Sequence, residues 1–437
     1  MMKVWQQPLP EIYTQRSDAE LRLRIISAKE TLGRRLVILG HHYQQDAVIE
    51  FADFTGDSYE LSRKAAQQKG IEYVIFCGVH FMAESADILT DESVRVILPD
   101  LGAGCSMADM ANLDQTLDCW AQLEETCPDQ LIVPITYMNS SAAIKAFVGE
   151  HGGAVCTSSN CRQVLEWGLA QIGTKARRHE GTKGGEGTEV PRHEGTEGGE
   201  TGKLQDDDGA MHSPSCLRAS VPSCLPPRVK ILFFPDQHLG RNTAYAMGYP
   251  LERMVVWDPR LDLGGNSVES LVNADFVLWK GHCSVHQLFR PEHVDQAREK
   301  YPQMKVIVHP ECRWEVVQKA DMAGSTAMIV KTIEAAPAGS QWAVGTEVHL
   351  IHRLAQAHPE QKIIVLSDCQ CLCTTMFRID LPHLCWALEN LLEGKVVNEI
   401  RVDAMTRKWS QVALQRMLDI AGSAGAPKQA KMASTVD

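Results

Sequence analysis

Cys369, Cys371 and Cys373 stand at alternate positions near the C-terminal end, a spacing that packing alone does not explain. Thiolates bind soft metals and iron–sulfur clusters or cycle through disulfides, so metal, cluster or redox chemistry is expected there. The chain carries 14 cysteines among 437 residues. Cys77, Cys119, Cys156 and Cys385 lie in apolar runs and read as small buried hydrophobes. In a reducing compartment the set is not a disulfide framework. A structural zinc site is the competing chemistry, and it usually draws on tight local pairs, a proximity that only the 369–373 triplet has.

The elements that must position such groups read as short apolar strands alternating with amphipathic helices, the pattern of a parallel α/β sheet. Strands are expected at 36–39, 73–76, 94–98, 131–135, 229–234, 276–278, 306–308, 342–344 and 363–366, and helices at 58–68, 142–147, 314–320 and 381–392. The strand ends repeat in kind. Val37-Ile-Leu-Gly-His41-His-Tyr43, Val133-Pro-Ile-Thr-Tyr137-Met-Asn139 and Val306-Ile-Val-His309-Pro-Glu311 each run from a buried strand into polar groups. A second kind of junction is small and hydroxyl-rich, Thr157-Ser-Ser-Asn160 and Gly324-Ser-Thr-Ala327. His41 to Cys105 spans 64 positions, and so does His309 to Cys373. Tyr137 to Cys283 spans 146, or 90 once residues 173–228 are set aside, a looser match. Three similar units are implied, each presenting polar groups at strand C-terminal ends, where open sheets bind ligands. Around a pseudo-threefold axis, one cysteine from each would converge and could hold three irons of a cubane, leaving the fourth open.

Residues 173–228 belong to no core: they are rich in Gly, Glu, Thr, Lys and Pro, and Arg178-His-Glu-Gly-Thr182 recurs as Arg192-His-Glu-Gly-Thr196. Such a stretch buries too little to offset its ordering entropy and is expected to be a disordered insertion in a loop. The expected divisions are 20–115 with Cys105, 116–290 with Cys283, 291–400 with Cys373, and a C-terminal segment 401–437 returning partly to the first unit. A net charge of −12 argues against nucleic acid as a partner. No apolar run reaches membrane-spanning length, and the stretch before Glu11 has no apolar core after Lys3. A cytoplasmic protein is expected.

Nine strings taken in order resemble quinolinate synthase. They are His41-His-Tyr-Gln-Gln-Asp46, Gly56-Asp-Ser-Tyr-Glu-Leu-Ser-Arg-Lys64, Gly78-Val-His-Phe-Met-Ala-Glu-Ser85, Tyr137-Met-Asn-Ser-Ser-Ala142, Cys156-Thr-Ser-Ser-Asn160, Pro235-Asp-Gln-His-Leu-Gly-Arg241, His309-Pro-Glu311, Gly324-Ser-Thr326 and Cys373-Thr-Thr-Met376. The resemblance implies three αβα domains around a central cavity with one [4Fe–4S] cluster per chain. It implies condensation of iminoaspartate with dihydroxyacetone phosphate to quinolinate, phosphate and water, a step toward NAD, with an aspartate oxidase or dehydrogenase as functional neighbour. It puts the cluster ligands at Cys105, Cys283 and Cys373. Substrate contacts fall on His41, Ser58, Tyr137, Met138, Asn139, Ser158, His309, Glu311 and Thr326, with Tyr43 a further catalytic group. His42 stands where the family pattern has Asn, and register favours His41 as the group facing the cavity. Cys369 and Cys371 remain alternative ligands or a redox pair.

The chemistry asks for proton transfers at carbon and oxygen, and Glu311 or Tyr43 is expected to make them. His309 and His41 would hold carboxylate or carbonyl oxygens. Ser158 and Thr326 precede helical stretches, where a hydroxyl serves either as an N-cap or as part of an anion site.

Overall fold

The computed structural model describes residues 6–171, 228–368 and 372–423. Cys369, Cys371, residues 424–437 and all but the last residue of the expected insertion lie outside the described residues.

Three sheets carry the chain. The first holds β1 (Leu36–His41), β2 (Phe54–Gly56), β3 (Tyr73–Cys77) and β4 (Arg95–Ile97), all parallel, side by side as β4-β3-β1-β2. The second holds β5 (Leu131–Tyr137), β6 (Ala154–Cys156), β7 (Val229–Phe234), β8 (Met254–Trp257) and β9 (Phe276–Trp279), parallel in the order β8-β9-β7-β5-β6. The third holds β10 (Lys305–Val308), β11 (Met322–Ala323), β12 (Gln341–Gly345) and β13 (Lys362–Val365), parallel as β13-β12-β10-β11. With β8 counted as an added edge strand, every sheet places its strands fourth, third, first, second. This shared order explains the equal 64-residue spacings in the first and third units. The second unit is longer because β8 and the segment between β6 and β7 are extra.

The central strands form because their residues are apolar without alternation. Every residue of β1, β5 and β7 is buried, as parallel strands covered on both faces require. The helices between them start at side-chain caps: Asp57 accepts from Glu60 N, Ser141 from Ile144 N, and Ser325 from Met328 N. Such a cap is worth about 1 kcal/mol.

The end of the chain ties the units together. Helix Leu381–Leu392, after the third sheet, packs on helix Asp18–Leu32 of the first unit. There Arg24 grips Glu389 through two bonds of 2.6 Å. A short strand, β14 (Glu399–Ile400), then adds antiparallel to β4. Helix Ala404–Ser423 lies against helix Ala142–Glu150 of the second unit. Gly149 permits the approach, since a Cβ there would collide with the carbonyl oxygen of Trp409. Among the described residues, no helix is long and apolar enough to cross a membrane.

Candidate active site

The C-terminal ends of the three sheets open onto one cavity. Its lining comes from all three units, and equivalent junctions supply equivalent groups. After the first strand of each unit come two polar residues spaced by two: His41 and Tyr43, Tyr137 and Asn139, His309 and Glu311. After the second strand comes a hydroxyl: Ser58, Ser158 and Thr326. After the last strand comes a cysteine: Cys105, Cys283 and Cys373.

The cysteines share a local turn. Each lies three residues before a single turn of 3-10 helix, at Ala108–Met110, His286–Leu288 and Met376–Arg378. The carbonyl of each cysteine accepts from the amide four residues on, at 3.1, 2.9 and 3.0 Å. The thiols are met by backbone N–H groups: Ala108 and Met107 at Cys105, His286 at Cys283, Thr375 and Met376 at Cys373. Burial pushes all three thiols up, Cys105 to about 12, and Cys283 is raised further by both of the others. Thiols that perturb one another across three units share one small space. The Cys283 turn is held close to the sheet at Gly281, where a Cβ would collide with the carbonyl oxygen of Pro235.

Two histidines are oriented by one device. The amide of Tyr43 donates to His41 Nδ1 at 3.1 Å, and the amide of Glu311 donates to His309 Nδ1 at 3.3 Å. With Nδ1 an acceptor, Nε2 carries the proton in each ring. Burial lowers both imidazoles to about 3, so they are neutral donors across the physiological range.

Glu311 is 2% exposed and lies at the centre of a buried polar chain. Its Oε2 is 2.7 Å from His286 Nδ1, a close contact angled away from an ideal hydrogen bond, and 3.9 Å from His309 Nδ1. The hydroxyl of Tyr137 faces it as well. Burial raises its pKa, but His286 and the Tyr137 phenol outweigh this and lower it to about 2. Glu311 is therefore a carboxylate. The far nitrogen of His286 is 3.2 Å from Thr346 Oγ1, and the His286 and His309 rings stack at 4.5 Å. Tyr43 OH lies 2.9 Å from both Thr346 Oγ1 and Thr326 Oγ1. Burial, then Glu311, raises the Tyr43 and Tyr137 phenols well above 10, so both stay protonated.

Of the expected cluster ligands, substrate contacts and catalytic groups, Met138 alone does not line the cavity: it is buried, and its sulfur accepts from Ser85 Oγ at 3.4 Å. His42 is turned away from the lining that holds His41, and the Arg353 guanidinium grips its carbonyl. Ser158 faces the cavity while Ser159 Oγ donates to Asp57 at 2.7 Å. Thr326 is the first residue inside its helix rather than the cap, which is Ser325, so its hydroxyl is left for Tyr43. The side-chain oxygen of Asn139 is buried without a partner among the described residues, an acceptor that a bound molecule can meet. His286 and Thr346 went unread in the sequence. Cys283 and His286 carry the two-residue gap of metal-ligand pairs, a signal for the histidine; Thr346 offered none.

The family model described as quinolinate synthetase A protein matches residues 24–174 and 214–419. The chain belongs to the quinolinate synthase family. A quinolinate synthase of Acidobacterium capsulatum is 50% identical over 413 residues, covering 94% of this chain and 95% of the relative. Those of Rhodopirellula baltica and Corynebacterium glutamicum are 46% and 48% identical, over 93% and 96% of this chain and 93% and 92% of theirs. Members of the quinolinate synthase family are enzymes on small molecules, and the chain is an enzyme of that kind. The unmatched residues between 174 and 214 fall within the low-complexity segment read from the sequence.

Proposed function

We propose that the enzyme condenses iminoaspartate with dihydroxyacetone phosphate to quinolinate, phosphate and water, on a [4Fe–4S] cluster held by Cys105, Cys283 and Cys373, within NAD biosynthesis from aspartate. The observation that carries this is the convergence of three cysteines and the His41, His309 and Glu311 groups on one cavity. The residues fit such a cluster. Three thiols from three units, each met by backbone N–H groups, suit a cluster whose sulfurs want hydrogen bonds and whose fourth iron stays open. When bound, the cluster supplies a Lewis acid for a substrate carboxylate or hydroxyl.

The chain's own residues do the rest. His41 and His309 offer neutral Nε2–H donors to carboxylate or carbonyl oxygens without a charge change in the working pH range. Asn139 Oδ1 accepts from a substrate N–H or O–H. Ser58 begins helix Ser58–Gln67, so its hydroxyl and the first amides suit a carboxylate or phosphate. Glu311 takes a proton, and the His286–Thr346–Tyr43 chain gives it a buried route toward a second phenol. The seam of three units keeps these groups away from bulk water, which strengthens every polar contact.

The test is an anaerobic assay of cluster-loaded enzyme with iminoaspartate generated in place and dihydroxyacetone phosphate. Quinolinate is expected, and its absence rejects the function.

A second reading has one observation behind it. One ligand atom from each of Cys283, His286 and Glu311 lies within 4.8 Å of the others, a sulfur–nitrogen–oxygen set suited to a single zinc. It leaves Cys105 and Cys373 without a role. A colourless protein with zinc and no iron would favour it.

A further inference from the structure

We propose that Lys145 is the built-in counter-charge of the cysteine-bound cluster, a buried ammonium that faces the ligand cavity from behind Phe81 and raises the cluster's reduction potential. This rests on the cluster reading above.

Lys145 lies in the first turns of helix Ala142–Glu150 and is 0% exposed. Its ammonium donates to one neutral acceptor, the carbonyl of Ser140, and sits 5.4 Å from the centre of the Phe81 ring. Phe81 in turn lines the cavity together with Cys105. Among the described residues, no carboxylate is paired with this ammonium. Glu84 is the nearby acid, and its oxygens are engaged by the Ala142 amide at 2.9 Å and by His80 at 3.7 Å.

A buried cation without a partner costs several kcal/mol. The position makes matters worse, because the first turn of a helix carries the positive end of its dipole. Lys230 shows how this fold treats an ordinary buried lysine. It is also 0% exposed, but it donates to Leu271 O at 2.5 Å and to Ala274 O, at the negative end of helix Val268–Asn273. Lys145 lacks that compensation; burial lowers both ammonium groups, and Lys145 falls to about 8 against the pull of Glu84 and Cys105. Three thiolates and a cubane core would form a net anion in the cavity that Phe81 lines with the three cysteines, and would supply the missing charge. A cation held there favours the added electron, since net charge is one of the determinants of cluster potential.

The test compares full-length wild type, Lys145→Met and Lys145→Gln, reconstituted anaerobically, by redox titration followed by electron paramagnetic resonance. Both variants remove the charge, while only glutamine can still donate to Ser140. A shift to more negative potential in both, with faster loss of iron to a chelator, is expected. A shift confined to Lys145→Met means that the Ser140 loop and not the charge is responsible, and overturns the proposal. An intact cluster with unmoved potential in either variant overturns it as well, and the glutamine chain decides alone if the methionine chain does not fold. A wild-type chain that takes up no iron and sulfide rejects the proposed function itself, an outcome read from metal content and not from potential.

Discussion

Replacing Glu311 by Gln keeps the shape of the side chain and removes its charge from the centre of the site. The carboxylate oxygen is 2.7 Å from His286 Nδ1 and 3.9 Å from His309 Nδ1. At an effective dielectric near 20, a full charge pair at the shorter distance is worth about 6 kcal/mol before desolvation is counted. Desolvation takes much of that back, but removing one partner of a buried pair costs about 3 to 5 kcal/mol, so the variant should melt several degrees below wild type. Catalysis has no such offset. A positioned base contributes typically about 10² to 10⁴ in rate, so kcat should fall by that range while KM stays within a few-fold. The assay is anaerobic quinolinate formation by variants matched to wild type in iron content. A Glu311→Gln enzyme that keeps a third of the wild-type kcat refutes the acid–base role. One that loses its metal instead shows that Glu311 is a ligand, and favours the Cys283–His286–Glu311 reading.

Single replacement of Cys105, Cys283 or Cys373 by Ser should reduce iron from about four per chain to near none, whereas Cys371→Ser should not, as anaerobic metal analysis will read. Because burial raises all three thiols, they are protonated in the empty chain. Cluster assembly near neutral pH should therefore release about three protons per chain from them, measurable by pH-stat. In the cluster-free chain, His41 and His309 fall from 6.5 to about 3 on folding. Between those values the unfolded chain binds more protons, so stability is lost as pH falls, with a slope approaching about 2.7 kcal/mol per pH unit in urea titrations. Gly281→Ala should push the Cys283 turn off Pro235 and lower cluster occupancy while the far-ultraviolet spectrum is kept.

The strands legible in the sequence are those that lie inside the sheets, together with one edge strand, β13, whose Ile363-Ile-Val365 run is apolar. Runs such as 131–135 and 229–234 are apolar on both faces, and the structure extends them by no more than two residues. The shortest edge strands were not legible. Phe54–Gly56, Met322–Ala323 and Glu399–Ile400 are two or three residues long and partly exposed, so they carry neither alternation nor an apolar run. In the site, the polar groups leaving a first strand announce themselves by contrast with the strand before them. His286 stands within a turn where no such contrast exists, and Thr346 is a common residue at a strand end. Their roles come from a contact between units, His286 to Glu311 and Thr346 to Tyr43, that no local pattern encodes.

The repeat of strand order explains why those contacts arise. Equivalent positions in three units meet at one place, so a substitution at a given junction is free to change its chemistry while its direction is kept. The fourth-strand position is cysteine in all three units, which suits a ligand set that must be equivalent around a cluster. The first-strand position has diverged into His-x-Tyr, Tyr-x-Asn and His-x-Glu, which suits a substrate whose two sides differ. The His41 and His309 turns keep one backbone device, an amide two residues on donating to Nδ1, yet the residue that supplies that amide is a phenol in one unit and a carboxylate in the other. In the proposed function a neutral donor is thus paired with an acid in the first unit and with a base in the third. Tyr137 of the second unit faces Glu311 of the third, so the asymmetry that the proposed proton transfer needs is built on a symmetric scaffold.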